Sequence, residues 1–289
     1  MKKVGIIDSY ISNFHSNTYH KFFREIFNEE GGEEYVITHI YAVTDLSPST
    51  KETTAQWCEK TGAKACSTIE EVCDAVDVIM VLAPNHPDLH EELCKIPFGS
   101  GKPVYVDKTF APDYETAKRI IDYGKAQGAN FWSSSATRFE SSVLPYLKGE
   151  EQPCEKVTIM SGNTFDMYCI HLIELMNTFM GNGAKTVKCT NNSSTLMFEV
   201  DYGGKTAWLN QYVGTWAAFG CFPEINGKCR QVKFQDDFWK NFSRALLEFF
   251  ETGVAPIPTE NTLECIAIRS AMIKAMENPQ TIVEVEGAK

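Results

Sequence analysis

The chain has 289 residues, of which 43% are hydrophobic and 22% charged, with a formal net charge of -11. That length suits two domains better than one core, and the lack of an apolar run of about 18 residues argues against a membrane span. The acidic balance, with no cluster of Lys and Arg, argues against nucleic acid or an anionic membrane surface as a partner.

Met1-Lys2-Lys3 runs directly into the strand-like Val4-Gly5-Ile6-Ile7, too short for a signal-peptide core. The ten Cys are scattered without C-x-x-C spacing, the usage of reduced thiols rather than of a disulfide framework or a zinc site. A cytoplasmic protein with no bound metal is expected.

From Lys3 to Ala126 short β-rich runs alternate with amphipathic stretches. Strands are predicted at Val4 to Ile7, Tyr35 to Val43, Val76 to Leu82 and Val104 to Val106, and a further one at Asn130 to Trp132. Helices are predicted at Thr18 to Phe27, Thr50 to Thr61, Ile69 to Ala75, Asp88 to Cys94 and Tyr114 to Ala126. Repeated βα units with right-handed crossovers make a doubly wound parallel sheet, an α/β domain over 1–136. Ser49-Thr50-Lys51-Glu52 and Ser67-Thr68-Ile69-Glu70 have the capping-box form and predict two helix starts.

After Ser133-Ser134-Ser135-Ala136 the texture changes. A helix at Phe139 to Leu147, a strand at Lys156 to Met160 and a helix at His171 to Met180 precede β-rich runs at Thr186 to Cys189, Thr195 to Val200, Thr206 to Val213 and Gln231 to Phe234. Gly203-Gly204 is a hairpin signal, so this sheet is antiparallel in part or mixed. Helices at Phe238 to Phe250 and Thr262 to Met276 and a strand at Ile282 to Val285 complete an α+β domain over 137–289. Trp208, Tyr212 and Trp216, spaced by four, either fill this domain's own core or form a sheet face that pairs subunits into a homo-oligomer.

Ligand crevices of open parallel sheets lie beyond the carboxyl ends of the strands, which draws attention to the residues found there. Strand one is followed by Asp8-Ser9-Tyr10-Ile11-Ser12-Asn13, where a dinucleotide fingerprint G-x-G-x-x-G would put glycine at positions 8, 10 and 13. Asp8, Tyr10 and Asn13 stand there instead, while Ser9, Ser12 and Asn13 offer hydrogen bonds to an anion at the helix N-terminus. Asp45, after strand two, is suited to the ribose hydroxyls of NAD and would repel the 2′-phosphate of NADP; it is equally suited to capping a turn. Strand four ends in Ala83-Pro84-Asn85-His86, a loop at the crevice. Val104-Tyr105-Val106 runs into Asp107-Lys108, either a surface ion pair or a lysine aimed at a ligand. In the second domain Ile170, Ile173, Met176 and Thr178 or Phe179 make a buried stripe with His171 beside it at the helix start, a structural histidine or a general acid and base.

Taken together these segments resemble the Gfo/Idh/MocA oxidoreductases, relatives of glucose-fructose oxidoreductase and inositol dehydrogenase. Asp107-Lys108-Thr109 stands where that family has Glu-Lys-Pro, Ala83-Pro84-Asn85 where it has Thr-Pro-Asn, and Tyr168 to Glu174 where it has a Gly-x-His-x-x-Asp-like segment. Phe249 to Pro258 followed by Glu260 to Glu264 is similar to its penultimate loop and last long helix. The resemblance implies a Rossmann-like first domain holding NAD through Ser9, Ser12, Asn13, Asp45, Ala83, Pro84, Asn85 and Asp107. It implies a sugar, polyol or related small-molecule substrate. Lys108 would touch substrate and nicotinamide, His171 would exchange the hydroxyl proton, and Asp166 and Tyr168 would contact substrate hydroxyls.

Three departures stand beside it: the missing glycines, Met167 where the family has Asp, and Thr109 where it has Pro. A trans Lys108–Thr109 peptide is expected, since cis at a non-proline residue costs about 2.5 to 4 kcal/mol. The missing glycines leave a second expectation open, a non-catalytic ligand-binding or partner protein on the same fold.

Overall fold

The computed structural model describes residues 1–235 and 237–287. The chain divides into two compact units, Met1–Ser134 with Trp239–Thr259, and Ser135–Phe238 with Glu260–Lys289.

The first unit runs β1 (Lys2–Asp8), α1 (Phe14–Glu30), β2 (Tyr35–Ala42), α2 (Thr54–Thr61), β3 (Lys64–Ala65), α3 (Ile69–Ala75) and β4 (Val78–Val81). The short helices α4 (His90–Leu93) and α5 (Lys95–Gly99) follow, then β5 (Val104–Val106), α6 (Tyr114–Ala126) and β6 (Phe131–Trp132). All pairings are parallel and the strand order is β3-β2-β1-β4-β5-β6. That is the doubly wound order in which a dinucleotide lies across the carboxyl ends of the strands. Val4, Ile6, Ile7 and all of β4 and β5 are buried, because helices cover both faces of such a sheet. In α1, Tyr19, Phe22, Phe23 and Ile26 make the inward stripe. Asn13 caps its first turn, with Ser16 completing a capping box.

The second unit carries α7 (Leu144–Leu147), β7 (Lys156–Gly162), α8 (Phe165–Met180), β8 (Thr186–Asn192), β9 (Thr195–Asp201), β10 (Thr206–Tyr212), β11 (Gly220–Ile225) and β12 (Lys228–Cys229). Helix α9 (Phe238–Thr252) leads out of it, and α10 (Thr259–Glu277) and β13 (Ile282–Glu284) lead back. Its mixed sheet has the order β12-β11-β7-β10-β9-β8-β13, with β7 and β10 parallel and the other pairs antiparallel. Gly203 and Gly204, both at positive φ, turn β9 into β10 as expected. The buried stripe of α8 includes Ile170, Ile173, Met176 and Phe179.

Several expectations need correction. The second domain does not run unbroken over 137–289: Trp239–Thr259 packs with the first unit, where Phe242 and Phe249 meet the ring of Trp132. Helix α2 is capped by Thr53 and α3 by Thr68, not by Ser49 and Ser67. Helix α8 starts six residues before His171, which therefore lies in its second turn. Asp166 and Met167 are exposed, so the apolar period begins later than the helix does. In place of one helix over 139–147 there is a 3₁₀ turn at Ala136–Phe139 and then the short α7, with Pro145 in its first turn. Of Gln231 to Phe234 only Val232 makes a bridge, to Cys221. The ladder there is β11, whose Pro223 disguised it. The Lys108–Thr109 peptide is cis; the expectation of trans rested on the preference of an isolated peptide, which does not decide the matter in this loop.

Candidate active site

In the turn from β1 to α1 the hub is Asp8, with no exposed surface. Its Oδ1 accepts hydrogen bonds from the Ser9 and Ala83 N–H groups at 2.7 and 3.0 Å, and its Oδ2 accepts one from Asn13 Nδ2 at 2.8 Å. Burial pushes the Asp8 pKa up to about 7, Asp107 adds to the rise, and the hydrogen bonds from Asn13, Ala83 and Ser9 work against it. Asn13 Oδ1 accepts from the His15 and Ser16 N–H groups at 2.9 and 3.1 Å. Ser12 Oγ donates to Glu52 Oε2 at 2.6 Å and accepts from Thr50 Oγ1 at 2.9 Å. The side chains of Ser9, Ser12 and Asn13 are thus turned to protein partners. Their backbone surroundings differ: the N–H groups of Tyr10, Ile11 and Ser12 make no hydrogen bond to any described residue, although these residues are almost fully buried. Three successive open amides ahead of a helix fit an anionic diphosphate bridge. A dinucleotide fits this turn through the main chain rather than through glycines.

Asp45 is exposed, and its Oδ1 accepts from the Thr54 N–H at 3.1 Å, so the capping role is realised while its charge stays at the end of β2. After β4, Ala83 holds a positive φ of 44° and Pro84 is buried, whereas Asn85 and His86 are exposed. His86 lies edge-on to Tyr10, with ring centroids 6.3 Å apart.

At the carboxyl end of β5, Asp107 is 1% exposed and Lys108 6%. His15 Nδ1 lies 2.5 Å from Asp107 Oδ2, while the Tyr105 hydroxyl and the Lys108 N–H donate to Oδ1 at 2.9 and 2.8 Å. Burial works to raise the Asp107 pKa, but the pull of His15, Lys108 and Tyr105 exceeds it and holds the carboxyl below its ordinary range. Asp107 is therefore a buried anion that fixes the start of the Lys108 loop. The loop's far side is fixed by His90, fully buried, whose ring nitrogens face the carbonyls of Leu82 at 2.6 Å and Phe110 at 2.9 Å.

In the second unit His171 is half-buried. Its Nδ1 lies 2.6 Å from Ser135 Oγ, and the rings of Tyr168 and Phe219 stand edge-on to it at 5.3 and 6.0 Å. Tyr168 in turn stacks on Phe219. Asp166 is turned away, its Oδ1 3.2 Å from Arg269 and its side chain 87% exposed.

Asp8 as hub, His15, Glu52, His90 and Ser135 were not among the expected site residues. Glu52 had been read as the closing member of a capping box. His15 had one visible signal, a histidine on the buried stripe of α1. Ser135 had none beyond its place in a serine run.

Residues 2–134 match the profile of a family described as GFO_IDH_MocA, oxidoreductase family, NAD-binding Rossmann fold. An uncharacterized oxidoreductase of Escherichia coli strain K12, YhhX, is 30% identical over 102 residues, which is 35% of this chain and 30% of that protein's length. Among solved structures, apo scyllo-inositol dehydrogenase from Lactobacillus casei is similar at a TM-score of 0.79 and 14% identity, covering 99% of this chain and 98% of that one. A levoglucosan dehydrogenase in complex with NADH and levoglucosan is similar at 0.77 and 11% identity, covering 99% of each chain. These likenesses show the fold: a parallel α/β sheet in the first unit and a mixed sheet in the second. Over residues 2–134 the chain is therefore similar to the NAD-binding Rossmann domain of that oxidoreductase family.

Proposed function

We propose that this protein is a dehydrogenase that moves a hydride between a nicotinamide cofactor, NAD in preference to NADP, and a hydroxyl-bearing carbon of a sugar, polyol or related small molecule. The observation that carries this reading is the set of open amides at Tyr10, Ile11 and Ser12, in the turn where the family's fold holds a dinucleotide. The named activities of the structural neighbours, inositol and levoglucosan dehydrogenases, support the substrate class.

A bound nicotinamide supplies the hydride acceptor. This chain's own residues supply the rest. His171 takes the hydroxyl proton, as an imidazole does near neutral pH. The Lys108 ammonium lowers the energy of the developing alkoxide, and Asp107 holds the lysine loop in place. Tyr168, whose ring stands edge-on to His171, is assigned to a substrate hydroxyl; Asp166, turned to Arg269, is not. Asp45, Ala83, Pro84 and Asn85 are assigned to the cofactor. A cytoplasmic setting agrees with ten free cysteines. A second copy of the chain is the proposed partner for the outer face of β9 and β10, where Met197 and Tyr212 are exposed; a monomer in light scattering at micromolar concentration would remove that partner.

A second reading has its own support. The Asp8 carboxylate takes up the Ser9 and Ala83 N–H groups, which favours a degenerate site on a protein that binds without catalysis. Incubation with NAD and a panel of polyols and sugars, followed by nicotinamide absorbance, separates the two. Reduction that falls by roughly 10² or more in Lys108→Ala and in His171→Ala supports the dehydrogenase. Reduction unaffected by either variant would remove both residues from the mechanism.

A further inference from the structure

Asp8 ends β1 at the first position of the dinucleotide fingerprint, where glycine would stand, and has no exposed surface. Its Oδ1 gathers the Ser9 N–H at 2.7 Å and the Ala83 N–H at 3.0 Å, one amide from the end of β1 and one from beyond the end of β4. Its Oδ2 accepts from Asn13 Nδ2 at 2.8 Å, and the same Nδ2 lies 2.8 Å from the Tyr10 carbonyl oxygen. The carboxylate is thereby held against both ends of the turn 9–13, whose Tyr10, Ile11 and Ser12 amides are open. Glycine at this position would leave the Ser9 and Ala83 amides to a ligand as well. A turn of successive N–H groups at the start of a helix favours one anion. A second anion brought against the first is repelled, the more so where both are shielded from water.

We infer that Asp8 is the chain's own anion in the seat of the cofactor diphosphate, and that a dinucleotide binds with uptake of one proton from solvent by the Asp8 carboxyl. The inference rests on the dinucleotide-binding part of the dehydrogenase reading and assigns Asp8 as the residue that sets cofactor affinity. Asp107, at the end of β5, opposes ionisation of Asp8, and the imidazole of His15 on α1 is turned to Asp107 at 2.5 Å. Tyr19, also on α1, stays a neutral phenol, since burial raises its pKa far above the usual value. The loop after β4 and the turn itself contribute the neutral N–H groups of Ala83, Ser9 and Asn13. With burial the largest influence, the carboxyl of the free protein loses its proton at about pH 7. The neutral acid keeps acceptor lone pairs for those N–H groups and gains an O–H to donate to a diphosphate oxygen. The carboxylate offers that oxygen only repulsion. Cofactor binding therefore favours the protonated form, and by linkage it weakens as pH rises through 7.

The test is a titration of the full chain with NADH, followed by cofactor fluorescence, at pH 6 and pH 8, with Asp8→Asn and Asp8→Gly beside wild type. With one linked proton and a free-state pKa of about 7, the wild-type dissociation constant is expected to be about tenfold larger at pH 8 than at pH 6. Both variants are expected to bind equally well at the two pH values, within about twofold. Calorimetry of wild type at pH 7 in buffers of different ionisation enthalpy reads the proton directly, with roughly half a proton taken up per NADH; this arm needs no variant to fold. A wild-type affinity that changes by less than about twofold between the two pH values, or a tenfold change retained in Asp8→Asn, would overturn the role of Asp8 and leave the dehydrogenase reading in place. Binding by Asp8→Gly with none by wild type at either pH would support Asp8 as the occupying anion and remove the wild-type chain from the nicotinamide enzymes. Absence of binding by all three at both pH values would overturn both readings.

Discussion

Replacing His15 by Ala removes the ring nitrogen that lies beside Asp107 Oδ2 and leaves a carboxylate that is 1% exposed with, among the described residues, the Tyr105 hydroxyl and the Lys108 N–H as donors, both to the other oxygen. Burial lowers the His15 pKa, so the ring is lost as a neutral polar partner rather than as a cation, and leaving a buried polar group without its partner costs about 1–3 kcal/mol, more for a charged one. The loss should depend on pH, and its sign can be worked out. In wild type the folded-state pKa of Asp107 is lowered, so its contribution is present above the unfolded value of about 3.9 and is lost as pH falls through the folded one. Without His15, burial becomes the dominant influence and the folded pKa rises above the unfolded value. The variant then loses stability as pH climbs between the two. Urea denaturation of wild type and His15→Ala at pH 5 and pH 8 should show a gap that is larger at pH 8. Adding Asp107→Asn should recover at least half of the loss, since the uncompensated charge is gone. A cost below about 1 kcal/mol at pH 8, or a gap that shrinks with rising pH, would refute the view of Asp107 as a buried anion held by His15.

Asp45→Ala should narrow a wild-type preference for NAD(H) over NADP(H), measured as the ratio of dissociation constants; a wild type that prefers NADP(H) defeats the assignment of Asp45. Gly162, at the end of β7, leaves no room for a side chain: a Cβ would lie 2.0 Å from the Thr215 carbonyl oxygen and 2.8 Å from the Ala217 nitrogen. Gly162→Ala should therefore destabilise by roughly 1–3 kcal/mol or more, read as a lowered urea midpoint, and an unchanged midpoint would contradict that packing. Asp8→Asn should flatten any change in stability between pH 5 and 8 that titration of a carboxyl near pH 7 imposes on wild type, where ionisation of buried Asp8 lowers stability as pH rises.

The parallel sheet was legible because strands covered on both faces read as unbroken apolar runs, and helices between them keep a 3.6-residue period. Helices α3 and α6 fall on the expected residues, Ile69–Ala75 and Tyr114–Ala126. Strand β3 was not legible: Lys64 and Ala65 are two residues, both outside the core, with no period to read. The return of Trp239–Thr259 to the first unit was not legible either. The pattern of Phe242, Leu246 and Phe249 announces a buried face but not what covers it. Lys108, Asp107 and His171 could be picked out because their residue types and places at element ends carry chemistry. Their supports could not, since His15 meets Asp107 and Ser135 meets His171 across 92 and 36 positions of chain, and no local spacing encodes such pairs.

The measurement that bears most directly on the central claim is a titration of the intact protein with NADH, followed by cofactor fluorescence. If the open amides of Tyr10, Ile11 and Ser12 receive the diphosphate bridge, NADH binds with a dissociation constant below about 1 mM, equivalent to roughly -4 kcal/mol or better. Absence of saturable binding up to that concentration would contradict the account and leave the chain a dinucleotide fold without its dinucleotide.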